Sequence, residues 1–457
     1  MSSTHFREDT IIALATPHGV SGLAVIRLSG KGAIRITQTL FRGKNLLDQP
    51  SHTIHLGTIG ENDKTIDEVM VSVFREPNSF TKENSIEISC HGSPIVIREI
   101  IKVFLKHGVR LAEPGEFTKR AFLNGRFDLA QAEAVADLIH AENDNARQAA
   151  LNQMRGGFSH EIKHLREELI HFASLIELEL DFGEEDVEFA KRLDLQQLVR
   201  KIQDYLSGLI SSFDQGNVIK NGIPTVIAGK PNAGKSTLLN ALLNEEKAIV
   251  SDIPGTTRDV IEDEITLGGI TFRFMDTAGL RETQDTIEAM GVTRTRESMK
   301  KASLILYLFD LAESSLDEIK QQESELRTLN IPYIKVGNKL DKAPLELIKE
   351  IDNQDFIFIS ASTKTNLEAL KEMILSKFRI NEVKQGDVLV TNLRHFQKLN
   401  ETKEALSRVL EGLESGITGD FLAMDIRQAL HYLGEITGEI TSDDLLANIF
   451  AKFCIGK

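Results

Sequence analysis

The sequence predicts a multidomain chain: an α+β amino-terminal domain, an α-helical domain contributed by two separate stretches, and between those stretches an inserted α/β domain with a mostly parallel, doubly wound sheet. Three observations predict it. Apolar β-rich runs and glycine turns fill the first ~120 residues, helical spacing takes over from Asp128, and short apolar strands alternating with helices interrupt that spacing between residues 219 and 381.

Residues 1–121 carry the strand-like runs GLAVIRLSG (22–30), DEVMVSVF (67–74) and NSIEISCHGS (84–93), then PIVIREIIKVFLKHG (94–108), which has helical spacing and a glycine stop. In residues 122–218, Leu129, Ala132, Val135, Ala136 and Ile139 recur at helical spacing, as do Ile162, Leu165, Leu169, Phe172, Ala173, Ile176 and Leu180. Residues 219–381 supply PTVIAG, FRFMDTAG, LILYLFD, YIKVGNK and FIFISAS as short buried strands. In residues 382–457 the helical stripe returns with Leu399, Leu406, Val409, Leu410 and Leu413, then Phe421, Leu422, Ile426, Ala429, Leu430 and Leu433. One helical domain built from both flanks fits this order, and two separate bundles remain open on sequence alone.

With 457 residues, 41% of them hydrophobic, the chain has the material for two or three cores. Cys90 and Cys454 are too few for a disulfide framework, no signal-peptide pattern opens the chain, and ASLILYLFDLA (302–312) is interrupted by Asp310, so a cytoplasmic protein with no membrane partner is expected. Cys90 reads as a buried strand residue. The net charge of −15 argues against a broad electrostatic grip on nucleic acid, which needs clustered lysine and arginine.

The chemistry is concentrated in the insert. GKPNAGKST (229–237) follows an apolar strand and opens a helical run, so Gly229 and Gly234 let the backbone around Asn232, Ala233 and Thr237 turn N–H groups toward phosphate oxygens. Lys235 would neutralise the β- and γ-phosphates and Ser236 would ligate Mg²⁺. DTAG follows another strand: Asp276 suits a water-mediated Mg²⁺ contact, with Thr277 and Ala278 leading to the Gly279 N–H, which can sense the γ-phosphate. NKLD supplies Asn338, Lys339 and Asp341, whose carboxylate can accept from N1 and the exocyclic amine of guanine, and SAS adds Ser360 and Ala361 beside the guanine O6. These motifs, in this order and at strand ends, describe a guanine-nucleotide site of the P-loop GTPase type.

Leu280 stands where many signalling GTPases carry a water-holding glutamine, and it has no hydrogen-bonding group. Asn232 offers a side-chain carbonyl, and Ser251, Asp252, Ile253, Pro254, Gly255, Thr256 and Thr257 form a segment rich in hydroxyls and carbonyls, with Thr257 as an Mg²⁺ ligand. Uncharged oxygen ligands suit a large monovalent cation, and K⁺ held there would stabilise charge developing on the phosphates. Glu288, twelve residues past Asp276, can orient water, though by position alone it reads as a solvated loop residue.

GKPNAGKSTLLNAL, AIVSDIPGTTRD, DTAGLRET, PGEFTKRAFLNGRFDLAQAEAVADLI and GEITGEITSDDLLANIFAKFCIGK together resemble the MnmE (TrmE) family, the tRNA wobble-uridine modification GTPases, along the whole chain. The GTPase motifs are shared with ribosome-assembly GTPases, so the specific part of the resemblance lies in FLNGRFDLAQAEA and the terminal FCIGK. It implies a folate-binding amino-terminal domain that also holds a homodimer, and a helical domain formed by both flanks. Carried over by position, the K⁺ ligands fall on Asn232, Ser251, the Ile253 carbonyl and Thr256, Mg²⁺ falls on Ser236 and Thr257, and the water-orienting glutamate falls on Glu288. The folate contacts fall on Arg27, Glu87, Arg126 and Lys457. Arg126 stands where the family often has lysine; the arginine keeps the charge but not the point-like geometry. Cys454 falls beside the folate pocket. The terminal CIGK fits a prenylation signal poorly.

The resemblance further implies that, with the flavoprotein MnmG, a tetrahydrofolate derivative (5-formyl- or methylene-tetrahydrofolate) supplies a one-carbon unit for an aminomethyl-type (carboxymethylaminomethyl) group on C5 of the wobble uridine, while GTP hydrolysis drives conformational cycling through pairing of the GTPase domains. The acidic balance places much of the tRNA grip on the partner. A ribosome-assembly GTPase and a nucleotide-gated interaction module are the competing readings, and the chain ends favour the tRNA modification enzyme over both.

Overall fold

The structure, a computed structural model, describes residues 9–62, 64–181, 192–246, 263–275, 297–351, 356–378, 383–451, 453 and 456. Its contacts group Met1–His140, Ala150–Ile210 and Arg394–Lys457 into one compact unit and Ala141–Ala149 with Ser211–Leu393 into another.

The first unit opens with seven strands, β1 (Ile11–Leu14), β2 (Ser21–Ser29), β3 (Phe41–Arg42), β4 (Thr53–Glu61), β5 (Lys64–Phe74), β6 (Ser85–Gly92) and β7 (Arg110–Leu111), in the order β3-β4-β5-β6-β2-β1-β7. All neighbours are antiparallel except β1 with β7. Alternation decides which side chains turn inward: Ala24, Ile26 and Leu28 on β2 and Ile86, Ile88 and Cys90 on β6 are buried against the helices Ala33–Leu40 and Pro94–Lys106. Arg27 and Glu87 lie between them in sequence and so emerge on the opposite face, directly paired in the β2–β6 register. The Cys90 thiol is buried and burial pushes its pKa up to about 11, so it is inert as a nucleophile at neutral pH.

Beyond the sheet this unit includes the helices Glu116–Leu123, Leu129–Ile139, Gly157–Asp181, Arg192–Ser211, Leu393–Glu414, Gly419–Thr437 and Asp443–Phe450. Asp128 starts the first with a reciprocal cap: its side chain accepts from Gln131 N–H (2.8 Å) while Gln131 accepts from Asp128 N–H (3.1 Å). Leu129 and Ala132 pack on Leu446, Phe450 and Phe453, which joins the stretch before the insert to the end of the chain. Residues after the insert close the same unit. Arg394 forms a two-pronged pair with Glu133 (3.1 and 2.7 Å), and His395 Nε2 lies 2.8 Å from the same carboxylate. Phe421, expected in the apolar stripe, is 59% exposed, because the buried residues Leu422, Ala423, Ile426, Ala429 and Leu433 set the inward face and Phe421 precedes the first of them by about 100° of helix.

The second unit holds β8 (Ile223–Gly229), β9 (Asp263–Leu267), β10 (Ile270–Phe274), β11 (Leu304–Asp310), β12 (Tyr333–Asn338) and β13 (Phe356–Phe358) in the order β13-β12-β11-β8-β10-β9. Every pairing is parallel except the β9–β10 hairpin at the edge, so the sheet is mostly parallel and doubly wound. Its strands are near-continuous apolar runs because helices cover both faces. Residues 141–149 belong here because their asparagines bind the hairpin: Asn143 donates to Thr271 Oγ1 (2.9 Å), and Asn145 donates to the Gly269 carbonyl (3.1 Å) while accepting from Val383 N–H (3.1 Å). Among the described residues no helix is long and apolar enough to cross a membrane.

Candidate functional site

The candidate phosphate loop joins the end of β8 to the helix Lys235–Glu246, on the carboxyl side of the parallel strands where such sheets hold ligands. Asn232 adopts a left-handed conformation (φ +61°) and Gly234 a φ of +93°. A Cβ on Gly234 would lie 2.2 Å from Asn338 Nδ2, so only glycine fits there. The Gly234 carbonyl accepts the first helical bond, from Leu238 N–H (2.9 Å), and a helix start of this kind favours an anion. Lys235 Nζ reaches back over the loop to the carbonyls of Gly229 (2.8 Å) and Lys230 (2.9 Å). Burial pushes its pKa down, and a phosphate brought to the loop would oppose that shift.

Asn338, buried at the end of β12, ties this loop to the NKLD and SAS segments. Its Nδ2 donates to the Ala233 carbonyl (2.8 Å) and its Oδ1 accepts from Ala361 N–H (3.0 Å). Asn338 is thus a bolt between phosphate loop and base-reading segments, a role its motif does not announce. Asp341 is exposed, and Ser360 Oγ donates to its Oδ1 (2.7 Å), which holds the carboxyl below the usual carboxylate range. A fixed, ionised acceptor two N–H donors wide suits guanine and not adenine. Lys339 closes a tight ion pair with Asp310 at the end of β11, a partner that sequence reading missed.

A second set of predicted residues meets on the face of the amino-terminal sheet opposite the helices Ala33–Leu40 and Pro94–Lys106. Arg27 Nε donates to Glu87 Oε1 (2.9 Å), and its Nη1 lies 3.5 Å from the Gly456 carbonyl. The Arg27 guanidinium stands 5.5 Å from the Phe80 ring and 5.7 Å from Phe117. Arg126 stands 5.4 Å from Phe80 and 5.2 Å from Phe127, and donates to the Ser79 carbonyl in a short hydrogen bond. Arg27, Glu87, Arg126 and the penultimate residue therefore converge around Phe80, although they come from β2, β6, the turn before Asp128 and the chain end. Two guanidinium groups beside aromatic rings can hold an anion next to a flat ring system.

Known families and relatives match nearly the whole chain. The model described as "MnmE helical domain" covers residues 129–454, and "GTP-binding protein TrmE N-terminus" covers residues 10–126. The tRNA modification GTPase MnmE of Cytophaga hutchinsonii is 58% identical over 450 residues, 98% of each chain. The chain belongs to the MnmE family. Proteins of the same name from Christiangramia forsetii (51% identical, 98% of this chain and 99% of that one) and Bacteroides thetaiotaomicron (47%, 98% and 100%) agree over their full lengths.

In this MnmE-family chain, Asn232, Ala233, Gly234, Lys235, Ser236, Thr237, Asn338, Lys339, Asp341, Ser360 and Ala361 all stand at or just beyond the ends of β8, β12 and β13, with Lys235, Ser236 and Thr237 in the first turn of the helix after β8. Ser251, Asp252, Ile253, Pro254, Gly255, Thr256, Thr257, Asp276, Thr277, Ala278, Gly279, Glu288, Cys454 and Lys457 lie outside the described residues. Phe80, Phe117 and Phe127 were not singled out from sequence. The clue available was that Phe127 sits inside FLNGRFDLAQAEA, next to Arg126.

Proposed function

We propose that this MnmE-family chain hydrolyses GTP and, as a homodimer with the flavoprotein MnmG, takes part in building the carboxymethylaminomethyl-type group on C5 of the tRNA wobble uridine in the cytoplasm. The reading is carried by the junction at Asn338, which fastens the phosphate loop to the segment bearing Asp341 in a chain related over its whole length to tRNA modification GTPases. In this reading Lys235 and the start of its helix grip the phosphates, Ser236 with Thr257 holds Mg²⁺, and Asp341 selects guanine. Asn232, whose left-handed backbone exposes its side chain in the loop, together with Ser251, the Ile253 carbonyl and Thr256, holds K⁺, and Glu288 orients the attacking water. Bound there, the metal ions would supply positive charge against that developing on the phosphates as the γ-phosphoryl group passes to water and GDP departs.

The amino-terminal cluster is the folate site of this proposal. Its two arginines, the Glu87 carboxylate and the aromatic rings offer charge and stacking for a reduced folate, which supplies the one-carbon unit, and Lys457 and Cys454 at the chain end belong beside it. MnmG brings the flavin and much of the tRNA contact, consistent with the net charge of −15.

GTP turnover should be faster in K⁺ than in Na⁺ at equal ionic strength, and Glu288→Ala should lose turnover by about 10²-fold or more while keeping GTP affinity. Steady-state phosphate release in the two salts and nucleotide titration of the variant check both. Equal rates in K⁺ and Na⁺ would remove the cation from the proposal.

A further inference from the structure

We propose that Phe80 is a positioning residue that fixes the guanidinium groups of Arg27 and Arg126 for a folate ligand, an inference that rests on the folate reading above. Phe80 lies half-buried in the turn between β5 and β6. Both arginines bring a guanidinium over its ring, at 5.5 and 5.4 Å. Each then has its own second ring, Phe117 for Arg27 and Phe127 for Arg126, and Phe127 meets Phe80 edge-on with centroids 5.9 Å apart.

The polar tethers leave each arginine with a different degree of freedom. Arg27 is held by Glu87, its cross-strand partner, so sheet register already places its charge. Among the described residues Arg126 contacts no carboxylate; its hydrogen bond goes to the carbonyl of Ser79, the residue before Phe80. The turn carrying Phe80 therefore supplies both the backbone acceptor and the aromatic face that locate Arg126. Two like charges drawn toward one site repel each other, and the negative face of the shared ring opposes that repulsion. An aliphatic side chain of similar bulk fills the space but supplies no such field. Phe80 thus acts through the arginines, and its removal would free Arg126 more than Arg27.

The test uses the full-length chain and 5-formyltetrahydrofolate as probe, with binding followed by calorimetry and folding of every variant checked by circular dichroism. Phe80→Leu should weaken binding about tenfold, and Phe80→Tyr, which keeps the ring, should stay within about twofold of the parent. Arg126→Met should cost much less affinity in the Phe80→Leu background than in the parent, because the cation it removes is already misplaced. Equal affinity of Phe80→Leu and parent overturns the inference and leaves the folate site standing. So does an equal loss in Leu and Tyr variants, or strict additivity with Arg126→Met, since either makes Phe80 a packing residue. If the parent chain itself fails to bind the probe, the folate reading falls and this inference falls with it.

Discussion

Asp341→Asn should lower GTP affinity by about 10² to 10⁴ and give the protein measurable affinity for xanthosine triphosphate. Guanine presents two donors, N1–H and the exocyclic amine, to the carboxylate, and each hydrogen bond to an ionised acceptor contributes about 1.5–3 kcal/mol. Asparagine keeps one acceptor and replaces the other with a donor that opposes the amine. Xanthine carries a carbonyl at that position and accepts from the same donor. The substitution is gentle on the fold: Asp341 is exposed, and an asparagine Oδ1 can still accept from Ser360 Oγ. Displacement of a fluorescent guanine nucleotide by GTP and by xanthosine triphosphate reads both halves of the expectation. Unchanged GTP affinity would mean that Asp341 does not read the base.

The second large effect is on stability. Glu133→Gln removes the anion that pairs with Arg394 in a buried cluster, and breaking such a buried pair on one side costs about 3–5 kcal/mol. Burial alone would raise the Glu133 carboxyl, but the charges of His395 and Arg394 and their hydrogen bonds overcome it and hold the pKa down to about 2. A depressed carboxyl stabilises the fold above its ordinary value of 4.5, and that stabilisation is lost as pH falls from 4.5 through about 2. In urea titrations followed by helical circular dichroism, the parent should lose roughly 3 kcal/mol more than Glu133→Gln across that window. Parallel pH curves would show that the cluster does not carry this share.

How much of this was legible in the sequence depends on whether the interaction is local. Gly229 to Thr237, Asn338 to Asp341 and Ser360 to Ala361 could be read directly, because phosphate and base recognition need several groups at fixed short spacing on one loop. The mostly parallel sheet was legible for a similar reason: strands buried on both faces are continuous apolar runs. Arg27 and Glu87 are different. They meet because β2 and β6 pair in one particular register, and no local pattern states that register; only the resemblance drew attention to them. Glu133 with Arg394, 261 positions apart, and Asn145 with Val383, 238 apart, left no signal at all, since a polar residue destined for burial looks the same as one destined for solvent. Phe421 failed in the opposite direction. The inward face centred on Leu422, Ala423 and Ile426 leaves Phe421, about 100° of helix before Leu422, turned outward.

The central claim, that this chain serves wobble-uridine modification, is tested most directly by mass spectrometry of nucleosides from bulk tRNA. Three samples suffice: the source cell, a strain deleted for this gene, and the deletion complemented with it. Loss of 5-aminomethyl-type uridines in the deletion, restored on complementation, is the expected result. Wobble uridines unchanged in the deletion strain would contradict the claim.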